Sequence, residues 1–119
     1  MPVLYDKIAV IGMGLIGASI ALAARRGGLA KTIIGSDQSL EVAAVVARLQ
    51  PVDSFEAYAV HAVADADLVI LAVPVGAVGE IAEQIVPHMK SGAVLTDTGS
   101  TKRSVVHDVG PHLRDDIIW

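Results

Sequence analysis

Residues Lys7 to Gly17, Lys-Ile-Ala-Val-Ile-Gly-Met-Gly-Leu-Ile-Gly, constrain this chain more than any other stretch. A short, mostly β-branched or aliphatic run leads into Gly12, Gly14 and Gly17, and Ala18 to Arg26 follow with helix-favouring alanines and leucines. The order is strand, tight turn, helix. Each glycine has a mechanical reason: Gly12 permits the sharp turn out of the strand, Gly14 carries no Cβ to hold a pyrophosphate away from the backbone, and Gly17 lets the helix lie close on the sheet. The helix N-terminus adds free N–H groups and the positive end of the macrodipole. This is the dinucleotide-binding fingerprint, and Gly12, Met13, Gly14, Leu15, Ile16 and Gly17 are the candidate pyrophosphate-binding residues.

A chain of 119 residues fits one domain, and 53% hydrophobic residues with only 3% aromatic predict a core of Val, Ile, Leu and Ala. That is the composition of parallel strands covered on both faces by helices. The expected fold is therefore α/β, a Rossmann-type doubly wound parallel sheet in three layers, over residues 1–119. A net charge of −4 without a Lys/Arg run argues against a nucleic-acid or anionic-membrane surface. No cysteine means no disulfide, no thiol catalysis and no cysteine-ligated metal. Ile8 to Ala24 carries no charge, but it is interrupted by three glycines at motif spacing and is shorter than the roughly 20 residues of a membrane span. The chain is read as soluble and cytoplasmic.

Gly27-Gly28 ends the first helix, and Lys31 to Ser36 gives a second strand that runs into Asp37, 20 positions after Gly17. An acid at that distance can bind the adenosine ribose; alternatively it is a turn residue or the cap of the next helix. A carboxylate there repels a 2′-phosphate, and Gln38-Ser39-Leu40 supplies no cation to receive one, so NAD is favoured over NADP. Ser39 reads as the N-cap of a helix Leu40 to Leu49 that Pro51 terminates. Between Val52 and Val63 no clean period exists; a short strand near Phe55 and a short helix before Ala64 are expected. His61 has no second ligand at metal spacing, so no metal site is expected, and Asp65 and Asp67 read as a solvated turn.

Asp67 to Pro74, Asp-Leu-Val-Ile-Leu-Ala-Val-Pro, reads as a buried central strand over 68–73 whose carboxyl end brings Val73 and Pro74 to the cleft of the glycine turn. Val78, Ile81, Ala82, Ile85 and Met89 form the apolar stripe of the next helix, with Glu80, Glu83 and Gln84 on its wet face, Pro87 kinking or ending its last turn and Gly92 closing it. Ala93 to Asp97 is another strand, followed by a hydroxyl-rich turn in which Ser100 is either a site residue or the N-cap of a helix Lys102 to Val109. Ile117-Ile118-Trp119 looks like the opening of a further strand.

Taken together, Gly12 to Ser19, Asp67 to Val75 and Thr96-Asp97-Thr98-Gly99-Ser100-Thr101-Lys102 resemble the N-terminal NAD-binding domain of the prephenate/arogenate dehydrogenases of tyrosine biosynthesis. The resemblance covers essentially the whole chain, and the Asp-x-Gly-Ser-x-Lys turn at 97–102 is its most discriminating part. It implies oxidative decarboxylation of prephenate to 4-hydroxyphenylpyruvate, or of arogenate to tyrosine, with NAD reduced. Carried onto this sequence, it places Gly12 to Gly17 at the pyrophosphate, Asp37 at the ribose, Val73 and Pro74 along the cofactor cleft, and Ser100 beside the nicotinamide and the substrate hydroxyl as the catalytic candidate.

Two parts of the family pattern are missing. The family's general-base histidine sits in a His-Pro motif, and none of His61, His88, His107 and His112 is followed by proline. The helical domain that completes the substrate site and the homodimer is also absent. The chain is thus expected to bind cofactor without turning over substrate. Two other readings share the glycine turn: a β-hydroxyacid-type dehydrogenase domain, which needs a catalytic lysine on a later helix, and a non-catalytic nucleotide-sensing domain, against which the 97–102 turn speaks.

Overall fold

The computed structural model describes residues 4–98 and 109–119. Five parallel strands, β1 (Tyr5–Ile11), β2 (Ala30–Ser36), β3 (Ser54–Glu56), β4 (Leu68–Leu71) and β5 (Val94–Asp97), form one sheet in the order β3-β2-β1-β4-β5. Helices α1 (Leu15–Arg26), α2 (Leu40–Leu49), α3 (Ala59–Ala62) and α4 (Val75–Ile85) fill the connections. This is the doubly wound arrangement expected from the alternation of strand and helix patterns.

β1 lies at the centre, and its alternate side chains explain both layers. Ile8 and Val10 join Ala21 and Ala24 of α1, Val46 of α2 and Ile33 of β2 on one face. Ala9 and Ile11 join Val69 and Leu71 of β4, Leu95 of β5, Ala62 of α3 and Val78, Ala82 and Ile85 of α4 on the other. A strand buried on both faces must be apolar throughout, which is why Ile8 to Ile11 lacks any polar residue.

Local signals account for the helix ends. Ser39 caps α2, its hydroxyl accepting the Val42 N–H at 3.2 Å, and Gln50 ends it in the left-handed conformation (φ 50°) just before Pro51. Pro87 falls within a short 3₁₀ turn, Val86–His88, that continues α4, and the chain leaves as extended backbone at Met89. The expected strand 68–73 is shorter, since β4 ends at Leu71, although the Ala72 N–H still donates to the Ile11 carbonyl at 2.7 Å. Ile118 pairs with Val94 in a parallel bridge, donating to Ala93 and accepting from Leu95, so the terminal triplet does open a sixth position beside β5. The helix expected over 102–109 falls, but for Val109, outside the described residues.

The amino edge of the sheet differs from the sequence expectation. Asp67 is not a solvated turn residue: its Oδ2 accepts the backbone N–H groups of Asp6 (2.8 Å) and Lys7 (3.0 Å), and its carboxylate pairs with Lys90. The Lys90 ammonium first, and the Lys7 N–H second, hold the Asp67 carboxyl below the usual carboxylate value; Asp67 in turn raises Lys90. Nearby, Arg114 donates to the carbonyls of Val86 and Met89, both at 2.9 Å, and forks onto Asp116. The backbone partners of Asp67 lie 60 and 61 positions before it in the chain, so no local pattern announces the arrangement.

Candidate functional site

Chain reversal in the sheet order occurs between β1 and β4, and a crevice opens beyond the carboxyl ends at such a point. Here it is a cleft of about 410 Å³ walled by Gly12 and Gly14 from the glycine turn, Ser36 and Asp37 from the end of β2, and Ala72, Val73 and Pro74 after β4. Five of the residues singled out in the sequence, Gly12, Gly14, Asp37, Val73 and Pro74, thus share one wall.

The turn is held by contacts that only glycine allows. Gly12 has φ +96° and donates its N–H to the Ser36 carbonyl at 2.8 Å; a Cβ on it would stand 2.4 Å from the Ala72 carbonyl oxygen. A Cβ on Gly17 would stand 1.8 Å from the Gly12 carbonyl oxygen, so α1 sits directly against its own turn. Gly14 is different: an added Cβ meets nothing within 4 Å. Its freedom is toward the cleft, where a bulky neighbour would compete with a ligand and not with the protein.

Gly14 is the N-cap of α1, with no side-chain capping bond and no acid in the first turn. The first N–H groups of a helix have no intrahelical acceptor, and the macrodipole is positive there, so this end favours an anion. Leu15 and Ile16 contribute backbone to that first turn while their side chains stay 86% and 59% exposed. Met13 behaves otherwise: its side chain is buried in the core beneath the turn, and a Cβ on Gly35 would collide with its Cγ and Sδ at 2.9 Å. Its backbone N–H points the other way, to Asp37.

Among the described residues, Asp37 accepts two bonds. Oδ2 accepts from Met13 N–H and Oδ1 from Ser39 N–H, both at 2.9 Å. The second bond makes it the turn residue that the sequence left open as an alternative, while the cap itself is Ser39. An ionised carboxylate has about four acceptor sites, so two bonds leave room for hydroxyl donors. What the sequence did not reveal is the outer half of the cleft: Gln38, Ala57, Ala59, Ala77, Glu80, Ile81 and Gln84 also line it. Glu80 and Gln84 lie one turn apart on α4, and that spacing is the signal that could have found them; their exposure made them look like an ordinary wet face. Among the described residues no Lys, Arg or His lines the cleft.

Ser100, Lys102 and His107 lie outside the described residues. His61 is exposed and edge-on to the Tyr58 ring at 5.8 Å between centroids, and His88 is exposed, both away from the cleft wall. Among the described residues no group of three or more His, Cys, Asp or Glu could hold a metal ion, and no helix is long and apolar enough to cross a membrane.

Comparison with known proteins agrees with this geometry. Residues 20–118 match the family of the prephenate dehydrogenase nucleotide-binding domain. The chain is 40% identical over 101 residues to a prephenate dehydrogenase of Lactococcus lactis, covering 84% of this chain and 28% of that protein. It is 37% identical over 114 residues to a cyclohexadienyl dehydrogenase of Zymomonas mobilis, covering 96% and 39%. Among solved structures, prephenate dehydrogenase from Aquifex aeolicus in complex with hydroxyphenyl propionate and NAD+ superposes with a TM-score of 0.83 at 27% identity, over 94% of this chain and 40% of that one. Synechocystis arogenate dehydrogenase gives 0.80 at 28% identity, over 89% and 37%. The chain spans about 28% to 39% of the length of these two sequence relatives. With its parallel sheet, glycine turn and strand-end acid, the chain belongs to the nucleotide-binding domain family of the prephenate dehydrogenases.

Proposed function

We propose that this chain is the NAD-binding half of the active site of a prephenate or arogenate dehydrogenase. The observation that carries the reading is the meeting, in one cleft, of an α1 N-terminus without a side-chain cap and the Asp37 carboxylate. The first suits a pyrophosphate; the second suits a ribose diol and disfavours a 2′-phosphate, which no cation among the described residues of the cleft wall compensates. Bound NAD would supply a hydride acceptor for the ring carbon that carries the substrate hydroxyl, as carbon dioxide leaves and the ring becomes aromatic.

The chain's own residues bind and orient. Gly12 to Gly17 cradle the pyrophosphate through their backbone, Asp37 fixes the ribose, and Val73 and Pro74 bound the cleft next to the sheet. Ser100 is assigned to the substrate hydroxyl by its place in the Asp-x-Gly-Ser-x-Lys turn. An unperturbed serine is too weak a base to take that proton unaided, so a separate base is required. The sequence relatives hold more than half their length outside the matched part, and we assign the base, the remaining substrate contacts and a homodimer interface to that remainder. Residues 1–119 then act as one cofactor domain of a cytoplasmic enzyme.

Calorimetric titration with NAD and NADP tests the reading. NAD should bind more tightly; tighter NADP than NAD binding, or no binding of either, overturns it.

A further inference from the structure

Besides the turn and the ribose corner, the same cleft is lined by apolar side chains from two further elements. Ala57 and Ala59 come from the β3–α3 junction, and Ala77 and Ile81 from α4. Glu80 and Gln84, one helical turn apart, stand on the same wall as Ala77 and Ile81. A slot with apolar sides and two polar groups on one rim suits a flat heteroaromatic ring inserted edge-first.

We infer that Glu80 reads the 6-amino group of the adenine base, so that the cleft selects a 6-aminopurine dinucleotide over its 6-oxo counterpart. The inference rests on the NAD-binding reading above. Glu80, as a carboxylate, only accepts hydrogen bonds, whereas the Gln84 amide can turn to accept or donate. Adenine presents an amine donor at position 6 beside an acceptor at N1. Hypoxanthine reverses both, with an oxygen at position 6 and a donor at N1. Gln84 can adjust to either pattern; Glu80 cannot, and the 6-oxo base sets an oxygen against its carboxylate. The choice of base therefore falls to Glu80.

Glu83 sits three positions along the same helix, is exposed and does not line the cleft, so it separates base reading from a general change in charge. Because Glu80 is itself exposed, Glu80→Gln leaves the core untouched. Removing a negative charge strengthens binding of any anionic dinucleotide, so the measure is the ratio of affinities and not either affinity alone.

The test is calorimetric titration of the chain with NAD and with nicotinamide hypoxanthine dinucleotide, for the wild type, Glu80→Gln and Glu83→Gln, with thermal melts to establish that each variant is folded. Wild type and Glu83→Gln should both prefer NAD by about tenfold, and Glu80→Gln should bring the two ligands to within about twofold. Equal affinities in the wild type, or a preference that survives Glu80→Gln, overturns the inference while leaving NAD binding standing. A wild type that binds neither dinucleotide overturns both readings.

Discussion

The Asp37 carboxylate accepts the Met13 backbone N–H at 2.9 Å, so the end of β2 is tied to the turn that follows β1. One side chain thus fixes the turn and forms the ribose corner of the same cleft. Asp37→Ala removes the bonds to both Met13 and Ser39, so it should lower stability by about 2 kcal/mol, and it should narrow the preference for NAD over NADP by about tenfold or more. Asp37→Asn retains one oxygen for the Met13 N–H but sets its amide nitrogen, a donor, against the Ser39 N–H and loses the charge. It should recover only part of the stability while keeping the relaxed preference. Thermal melts and titrations of the two variants with both cofactors separate these roles.

The three glycines of the turn should fail in different ways. Gly12→Ala and Gly17→Ala press a methyl against backbone oxygens and should each cost about 2 kcal/mol or more, read as a fall in the urea midpoint. Gly14→Ala meets no protein atom, so its stability should stay within about 1 kcal/mol of the wild type. Its NAD affinity should nevertheless drop about tenfold or more, because the methyl occupies the space assigned to the pyrophosphate. Wild-type affinity in Gly14→Ala would remove that residue from the site.

Acid sensitivity should trace in part to Asp67. Its carboxyl is held below the ordinary value by Lys90 and by the Lys7 N–H, so it contributes stability that is fully present above the ordinary carboxylate value and is lost as pH falls through the lower, folded value. Urea midpoints measured between neutral pH and the acid limb should therefore fall below about pH 4. Asp67→Asn should flatten that limb while lowering the neutral midpoint. An unchanged acid limb in the variant would place the sensitivity elsewhere.

For turnover, NADH absorbance should stay flat when the 119-residue chain is mixed with NAD and prephenate or arogenate. Fusing the chain to the remaining length of its Zymomonas mobilis relative should restore a signal, and Ser100→Ala in that fusion should reduce it by about 10²-fold, the scale of losing one positioned polar group. Activity in the unfused chain, or full activity without Ser100, would show that the chemistry belongs to other residues.

Much of this was legible in the sequence because the determining interactions are local. The unit from β1 through the glycine turn to α1 follows from residue type and spacing, and so does the Ser39 cap, whose partner Val42 is three positions away. β3, with three residues, is too short to carry a period of two, and only its pairing with Ile34 to Ser36 of β2 defines it. Met13 sits inside the binding motif, yet its side chain belongs to the core because Gly35, on the neighbouring strand, leaves room for it. Asp67 was misread for the same reason in reverse: its partners are brought to it by the sheet. Glu80 looked like a solvated helix face, and only the approach of the β3–α3 junction turns that face into a wall.

The parallel sheet sends every strand end of one kind to the same side, and this chain uses the two sides differently. The Asp67–Lys90 pair and the Arg114 clamp gather at the amino edge, and the cleft at the carboxyl edge. The two can therefore evolve, or be engineered, on separate schedules. Substitutions that harden the amino edge against heat or acid need not disturb ligand choice, and the cleft can be re-cut for another dinucleotide without loosening the charged fastenings on the far side.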